Sequence, residues 1–283
     1  MAPLVWLVTG CSSGFGDAFA RDLLERGEKV IATARNLRSI TSLATAGAHI
    51  LELDVTASVD EVNKVIQKSL KVYGRIDVLL NNAGFVHTGG VEETTIDEDQ
   101  KVFQTNVFGP LNLARTVLPS MRSRRSGTIV FISSMVAWTG SATMGAYAAS
   151  KASLSIYAEA LRDEVAEFGI QVGALEPGGF RSSLLSSKNM KVPSRHIQDY
   201  DESKTRATQA QVAQLDQNQP GDLQKGAKVM VDIITGTGIA AGKKLPGRLI
   251  VGSDAYGIVR SVCEHHIKTF DDWQSVITQT NHQ

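Results

Sequence analysis

Short apolar runs alternate with helical segments along almost the whole chain, and this alternation limits the folds that are open to it. The apolar runs are rich in Val, Ile and Leu, as buried parallel strands are. We expect about seven such strands, at Leu4–Thr9, Lys29–Ala34, Ala48–Leu53, Ile76–Leu80, Thr128–Ile132, Ile170–Leu175 and Arg248–Val251. Because parallel neighbours need right-handed crossovers, the sequence predicts an α/β fold, a doubly wound parallel sheet with helices on both faces.

Helical periodicity fills the intervals between these strands and supplies the crossovers. The helical segments include Asp17–Arg26, Ser58–Tyr73, Asp99–Ser123 and Ala146–Phe168. Pro110 and Pro119 lie within the third of these segments. Because proline has no amide hydrogen to donate, the two residues predict a kink or an early end of that helix.

The first expected strand passes directly into a glycine-rich turn, Gly10-Cys11-Ser12-Ser13-Gly14-Phe15-Gly16, and then into a helix. Glycine allows a close backbone approach, while the helix start presents unpaired N–H groups and the positive end of a dipole. The glycine spacing, G-x-x-x-G-x-G, differs from the G-x-G-x-x-G of the standard dinucleotide fingerprint. The turn predicts a pyrophosphate site, although a glycine-rich turn without a ligand has the same composition.

Three residues in the middle of the chain have the chemistry of a hydride-transfer site. Tyr147 and Lys151 are four residues apart, so on a helix they lie one turn apart on the same face. The ammonium group is expected to lower the pKa of the phenol. Ser134, thirteen residues before Tyr147, can hold a substrate oxygen while the tyrosine exchanges a proton with it.

Five motifs together resemble the classical short-chain dehydrogenases/reductases, strongly over residues 4–182 and loosely beyond them. The motifs are Thr9-Gly10-x-x-x-Gly14-x-Gly16, Asn81-Asn82-Ala83-Gly84, Asn106, Ser134 with Tyr147 and Lys151, and Glu176-Pro177-Gly178. The turn Thr9–Gly14, the Ala34-Arg35 pair and the segment Arg248–Ala255 are similar to the 17β-hydroxysteroid-dehydrogenase-like and retinol-dehydrogenase-like members. That subgroup acts on apolar alcohols and ketones.

The resemblance implies a single Rossmann-type domain over residues 1–283 and a role for each matching residue. The catalytic set would be Ser134, Tyr147, Lys151 and Asn106, the last helping to hold a water that relays protons to Lys151. Lys151 would also hold the nicotinamide ribose, and Ser182 the carboxamide. The implied cofactor-binding residues are Gly10, Ser12, Ser13, Gly14, Phe15, Gly16, Arg35, Asp54, Asn81, Ala83, Gly84, Tyr147, Lys151, Pro177, Gly178 and Ser182.

The end of the second expected strand indicates which dinucleotide is preferred. NAD-preferring sites place an acidic residue there to accept from the ribose 2′-hydroxyl, but here the strand ends on Ala34. Arg35 follows, with Arg38 three residues on, and arginine can pair with a 2′-phosphate. We therefore expect NADP(H). Asp54 matches the family's adenine-contacting acid, and it is also placed to cap the helix that follows.

Residues 181–222 interrupt the alternation of strands and helices. The segment is polar, lacks an expected strand and contains Pro193 and Pro220. A connection this long is usually either functional or a solvated insertion. By resemblance it is the substrate lid, and the apolar residues expected to face inward are Leu184, Leu185, Met190 and Val192. Further pocket candidates are Met135, Val136, Trp138 and Met144.

Composition excludes several other classes of protein. Lys plus Arg equals Asp plus Glu, at 29 each, so no net charge recruits nucleic acid or anionic lipid. No run of apolar residues is long enough to span a membrane, and the N-terminus is interpreted as a strand rather than a signal peptide. Cys11 and Cys263 form no C-x-x-C motif, which favours free thiols in the cytoplasm. The adjacent pair His265-His266 lacks further ligands, so no metal site is expected.

The predicted function is therefore NADP(H)-dependent interconversion of an apolar ketone and its secondary alcohol. In the direction of ketone reduction, Ser134 would bond the carbonyl oxygen and Tyr147 would deliver the proton. Two alternatives stay open: a non-catalytic NADP(H)-binding redox sensor, and an enzyme whose hydride step is part of an epimerisation, dehydration or cyclisation.

The helix that carries Tyr147 and Lys151 also predicts an oligomer. Its apolar residues are too many for one face at 3.6 residues per turn, so some apolar surface is left over. We expect a homodimer or homotetramer that buries this surface together with the preceding long helix, Asp99–Ser123. The alternative is a monomer in which the lid or the C-terminal residues Thr269–Gln283 cover it.

Overall fold

Nine strands form in the part of the chain that the computed structural model describes, residues 2–186 and 189–282. They are β1 (Val5–Val8), β2 (Lys29–Ala34), β3 (His49–Glu52), β4 (Val78–Asn81), β5 (Val86–His87), β6 (Gly127–Ile132), β7 (Ile170–Pro177), β8 (Met190–Lys191) and β9 (Arg248–Val251). Seven of them form one sheet in the order β3-β2-β1-β4-β6-β7-β9, and each neighbouring pair is parallel. The predicted doubly wound parallel sheet is confirmed.

The helices within these residues connect the strands and cover both faces of the sheet. They are α1 (Gly14–Glu25), α2 (Thr41–Thr45), α3 (Val59–Tyr73), α4 (Ile96–Phe103), α5 (Gly109–Arg124), α6 (Gly145–Val165), α7 (Lys204–Gln214), α8 (Leu223–Thr235) and α9 (Ser253–Ile277). Side chains of β1 alternate between two cores: Trp6 and Val8 pack with α1 and α8, and Val5 and Leu7 pack with α3, α5 and α6. This packing fixes the carboxyl ends of the strands at one edge of the sheet.

The expected long helix with two prolines is divided by a π-helical turn at Gln104–Phe108. Pro110 occupies the first turn of α5, where its missing N–H is tolerated. It cannot donate to the carbonyl of Asn106 four residues earlier, which accounts for the change in winding just before it. Pro119 neither ends nor divides the helix, which continues to Arg124. An early end of the helix is therefore found just before Pro110 but not at Pro119.

Residues 181–222 contain the short strand β8, which corrects the expectation that this segment has none. Val86 pairs with Met190 and His87 with Lys191, so β5 and β8 form a second, two-stranded parallel sheet. Leu185 and Met190 pack with Val86, Met144 and Tyr147 in a small separate core. The segment therefore folds over the edge of the sheet at which the strands end.

Candidate active site

A cleft with a volume of about 750 Å³ lies at the carboxyl edge of the main sheet. Its walls come from the turns that follow β1, β2, β3, β4, β6 and β7, and from the segment at 181–222. Crevices outside the carboxyl ends of strands are where doubly wound folds bind their ligands. Most of the residues singled out in the sequence line this cleft: Gly10, Ser12, Ser13, Gly14, Phe15, Arg35, Asp54, Ala83, Gly84, Ser134, Tyr147, Lys151, Pro177, Gly178 and Ser182.

The glycine-rich turn is packed too closely for side chains, which leaves its backbone accessible to a ligand such as a pyrophosphate. A Cβ on Gly10, whose φ is +71°, would lie 2.8 Å from the Cα of Ala83. A Cβ on Gly16 would lie 2.2 Å from the carbonyl oxygen of Gly10, so Gly16 supports the turn from below rather than lining the cleft. Helix α1 starts here, and its N-cap residue Ser13 makes no side-chain capping bond. The first N–H groups of α1 are therefore directed at the cleft without a side-chain acceptor.

The end of β2 carries the residues that would distinguish the two dinucleotides. Ala34 and Arg35 both line the cleft, and the Arg35 side chain is exposed there. Arg38 lies in the next turn and is not among the lining residues. Asp54 also lines the cleft, where one of its oxygens accepts from the N–H and hydroxyl of Thr56 at 2.9 and 2.7 Å. It does not cap α3, because Ser58 and Glu61 form that capping box.

Ser134, Tyr147 and Lys151 meet at the centre of the cleft, each at least nine-tenths buried. Burial raises the pKa of Tyr147 to about 12, although a hydrogen bond with Ser134 opposes this. Burial also lowers the pKa of Lys151 to about 8. The Lys151 ammonium lies 5.8 Å from the centre of the Tyr147 ring and donates to the carbonyl oxygen of Ile132 at 2.8 Å. The expected depression of the tyrosine pKa is therefore wrong for the chain alone, because loss of solvation outweighs the hydrogen bond with Ser134 and Lys151 does not contribute.

Asn106 lies beneath the cleft and is completely buried. Its amide accepts from the N–H of Phe85 and donates to the carbonyl of Phe85 and the hydroxyl of Ser150, each at 3.1 Å. The side chain thus ties the turn after β4 to helix α6 one residue before Lys151.

Asn81, like Gly16, was predicted to bind the cofactor but does not line the cleft. It is the last residue of β4 and is almost fully buried. Among the described residues, neither polar atom of its side chain has a hydrogen-bond partner. The following residue, Asn82, lines the cleft and donates to the carbonyl oxygen of Thr9 at 2.8 Å. This bond joins the ends of β1 and β4.

Glu176 forms a buried polar cluster close to Ser134 and helix α6. One carboxylate oxygen accepts from Trp138 Nε1 at 2.6 Å, and the other accepts from Ser155 Oγ at 2.6 Å and Arg248 Nε at 2.8 Å. The guanidinium of Arg248 also lies 4.2 Å from the centre of the Trp138 ring. A single carboxylate therefore holds together the turn after Ser134, helix α6, and strands β7 and β9. In the sequence, Glu176 is visible only as the residue before a Pro-Gly turn.

The substrate end of the cleft differs from the prediction. Leu184 and Val192 line it as expected, but Leu185 and Met190 instead pack in the small core beside Tyr147. The cleft is also not lined by Met135, Val136, Trp138 or Met144. Trp138 donates to Glu176 instead, and Val136 and Met144 pack in the small core. Sequence reasoning missed a group of polar lining residues that have no motif: His87, Glu98, Lys101, Gln104, Asn189 and Lys191.

Acidic residues after β5 hold the lid segment in place. Glu93 is 1% exposed, and one of its oxygens accepts from Arg206 Nη2 at 2.8 Å and from the N–H of Ile197 at 3.0 Å. Burial opposes its ionisation, but these hydrogen bonds and the charge of Arg206 outweigh burial and lower the pKa of Glu93. Glu98 accepts from the N–H of Ser194 at 2.8 Å, and Glu92 from the hydroxyl of Tyr200, also at 2.8 Å. We call these four contacts, made by three glutamates, the acidic latch.

Two further features bear on the kind of site this is. Within the described ranges, no group of three or more His, Cys, Asp or Glu side chains is arranged to hold a metal ion. Over the same residues, no helix has the length and apolar character that crossing a bilayer requires.

The known proteins that this chain resembles are dehydrogenases, reductases and other oxidoreductases. The family model for short chain dehydrogenase matches residues 4–193. The chain is 30% identical to Oxidoreductase BOA17 of Botryotinia fuckeliana, over 96% of this chain and 97% of that protein. It is 37% identical to 3-ketodihydrosphingosine reductase of Bacteroides thetaiotaomicron, over 72% of this chain and 74% of the relative.

Solved structures agree with the fold. A short-chain dehydrogenase from Streptomyces avermitilis is 38% identical and superposes with a TM-score of 0.88, with 99% of each chain covered. Two more distant structures share the fold at 21% and 23% identity, with TM-scores of 0.77 and 0.71. One is a Burkholderia phymatum short chain dehydrogenase/reductase in complex with NAD, and the other is ElxO with NADP bound. The chain belongs to the short-chain dehydrogenase/reductase family of oxidoreductases.

Proposed function

We propose that this chain is an NADP(H)-dependent oxidoreductase that interconverts an apolar ketone and its secondary alcohol, with Tyr147 as the acid–base residue. The observation that carries the proposal is the meeting of Ser134, Tyr147 and Lys151 in a cleft that also contains the glycine-rich turn. The Gly10 turn, the free N-terminus of α1 and Arg35 fit a phosphorylated dinucleotide by shape and charge. When bound, the nicotinamide would supply or accept the hydride.

The side chains of the site can serve as the acid and the donors that ketone reduction needs. With a pKa of about 12, the Tyr147 phenol keeps its proton at neutral pH, so it is ready to act as an acid. Ser134 donates a hydrogen bond to the ketone oxygen and thereby places it within reach of the phenol. Lys151, held by the carbonyl of Ile132, provides a nearby donor toward the ribose. As the alkoxide forms, Tyr147 passes its proton to that oxygen.

The class of substrate is inferred from the lid. Leu184 and Val192 line the cleft and are 40% and 56% exposed in the chain alone, so an apolar substrate would bury them. The 3-ketodihydrosphingosine reductase relative is named for a ketone substrate, which is consistent with this inference.

The proposed enzyme assembles through α5, α6 and the turn between α4 and α5. Phe108, Ile156 and Tyr157 leave 48%, 57% and 45% of their surfaces exposed on these elements. The C-terminal residues do not cover this face, because every side chain from Glu264 to His282 is itself exposed. A homodimer or homotetramer would bury the surface.

The direct test is a panel of apolar and polar ketones assayed with NADPH and with NADH, followed by identification of the products. The proposal expects NADPH consumption in step with alcohol formation from apolar ketones. Cofactor binding with no turnover on any ketone would favour a redox sensor instead. Product formation without net NADPH consumption would favour epimerisation, dehydration or cyclisation.

A further inference from the structure

The last helix carries an apolar stripe that extends past the body of the protein. Its members follow one another at alternating spacings of three and four residues: Tyr256, Val259, Cys263, His266, Phe270, Trp273 and Ile277. At 3.6 residues per turn this pattern holds them within about 100° of the helix surface. Ile267 and Val262 widen the stripe on either side. The spacing is the one that two packed helices share.

The stripe begins against the protein's own core and then loses contact with it. Ala255 and Val259 are buried, and Val262 and Cys263 are half-buried, while Tyr256 at the edge of the stripe is 58% exposed. From Glu264 to His282 every side chain is exposed, including large apolar ones: Ile267, Phe270, Trp273, Val276 and Ile277 are each 53–59% exposed. The same face of one helix is thus covered at its start and bare for its last three to four turns.

A bare helical end of this kind needs a partner to be stable. Isolated helices shorter than about 12–15 residues are marginal in water, and most helical stability in proteins comes from packing an apolar face. Large contiguous apolar surfaces on soluble proteins usually mark interaction sites. The question is therefore which partner the stripe fits.

Charge decides between a lipid surface and another protein. The charged residues of the bare part are on the opposite side of the helix: Glu264, Lys268, Asp271 and Asp272. Over the whole helix four carboxylates stand against two cations, so it carries a net charge of about −2. Helices that lie on membranes carry Lys and Arg on their polar face, which is the reverse of this arrangement.

We infer that the stripe of α9 pairs with the same stripe of a second copy of this chain. Two copies can bring these faces together without burying any of those four charged side chains. Four exposed apolar residues of each copy lie on this face, namely Ile267, Phe270, Trp273 and Ile277. They offer roughly 500 Å², so a pair would bury on the order of 1,000 Å², the lower bound for a specific interface. This contact differs from the proposed interface at α5 and α6 and does not depend on the proposed activity.

The test is the mass of the purified full-length protein, measured by light scattering at micromolar concentration. The double variant Phe270→Glu/Trp273→Glu should halve the mass of the unmutated assembly, because two aromatic anchors are lost and carboxylates meet across the pair. The matched control is Ser261→Glu/Ser275→Glu, which adds the same two carboxylates on the opposite face and should keep the mass. Circular dichroism and the melting midpoint establish that both variants are folded.

Four outcomes would overturn the inference. An unmutated protein of 30.4 kDa at these concentrations has no partner copy, and a Phe270→Glu/Trp273→Glu variant that keeps the unmutated mass pairs elsewhere. If the glutamate variant fails to fold, Phe270→Ala/Trp273→Ala should weaken the association by at least about a hundredfold. If the alanine variant associates as tightly as the unmutated protein, the inference is wrong as well. A monomer that sediments with phosphatidylcholine vesicles would replace the second copy with a lipid surface.

Discussion

The two halves of the cleft are held in place by different kinds of contact. The strand-end half, which comprises the glycine-rich turn, the strand ends and α6, is built into the sheet and both cores. The lid half, residues 181–222, rests on a two-stranded sheet, a small core and the acidic latch. A change in the first half should therefore alter chemistry or cofactor binding outright, whereas a change in the second should alter how tightly a substrate is enclosed.

The strongest test of the strand-end half is removal of the proposed acid. Tyr147→Phe should lower turnover by about 10²–10⁴-fold, because the proton has no other donor as well placed. NADPH binding, measured by calorimetry, should stay close to that of the unmutated protein. Tyr157→Phe is the matched control, since Tyr157 lies on the same helix but is 45% exposed on the outer face. Near-normal turnover of Tyr147→Phe would overturn the assignment.

Burial of Lys151 should be visible in how stability depends on pH. Burial lowers its pKa from 10.5 to about 8, so between these values the unfolded chain binds a proton that the folded chain has released. The free energy of unfolding of the cofactor-free protein should therefore rise across this range through this group, by at most about 3 kcal/mol. Lys151→Met should lose this contribution. Denaturant titrations at several pH values measure the free energy of unfolding of the unmutated protein and of Lys151→Met. If this free energy changes with pH equally in both proteins, Lys151 is solvated and the prediction is wrong.

Cofactor preference is the next largest effect expected in the strand-end half. Ala34→Asp together with Arg35→Ala should move the preference from NADPH toward NADH by about ten- to a hundredfold, because a charged phosphate contact is lost and a carboxylate is added. Arg38→Ala should change little, since Arg38 does not line the cleft. Calorimetric Kd values for both nucleotides measure this. An unmutated protein that prefers NADH would show that the role given to Arg35 is wrong.

A smaller effect is expected from the lid half. Arg206→Met removes the cation that Glu93 contacts at 2.8 Å and so weakens the acidic latch. The KM for a ketone should rise about tenfold, while the Kd for NADPH stays unchanged, because an unpaired buried carboxylate loosens the lid and not the glycine-rich turn. Arg195→Met, at an exposed position of the same segment, is the control. Equal losses in KM and in NADPH affinity would mean that the two halves are not separable.

The same contrast accounts for what could be predicted from the sequence. Gly10 and Gly16 are in positions where a side chain cannot fit, and Tyr147 and Lys151 are related by helical spacing. Local sequence patterns are therefore sufficient to predict the strand-end half of the cleft. The pairing of Val86 with Met190 joins residues 104 positions apart through strands two residues long, which have no periodicity to detect.

Two errors in the site have one physical origin, the burial of polar groups. Trp138 was predicted to face the substrate, but its indole N–H is satisfied by Glu176 on the other side of its turn. The pKa of Tyr147 was predicted to fall, but loss of solvation raises it. Both outcomes depend on three-dimensional surroundings assembled from distant parts of the chain.

The Glu176 cluster has a consequence for how the protein is made. Its cation, Arg248, follows it by 72 residues. At about 5–20 residues per second, a ribosome needs roughly 4–14 s to add that stretch. During this interval a nascent chain already contains Ser134, Tyr147 and Lys151, but the carboxylate that anchors their surroundings has no counter-ion. The surroundings of Ser134, Tyr147 and Lys151 therefore become complete only after Arg248 and strand β9 have been added to the chain.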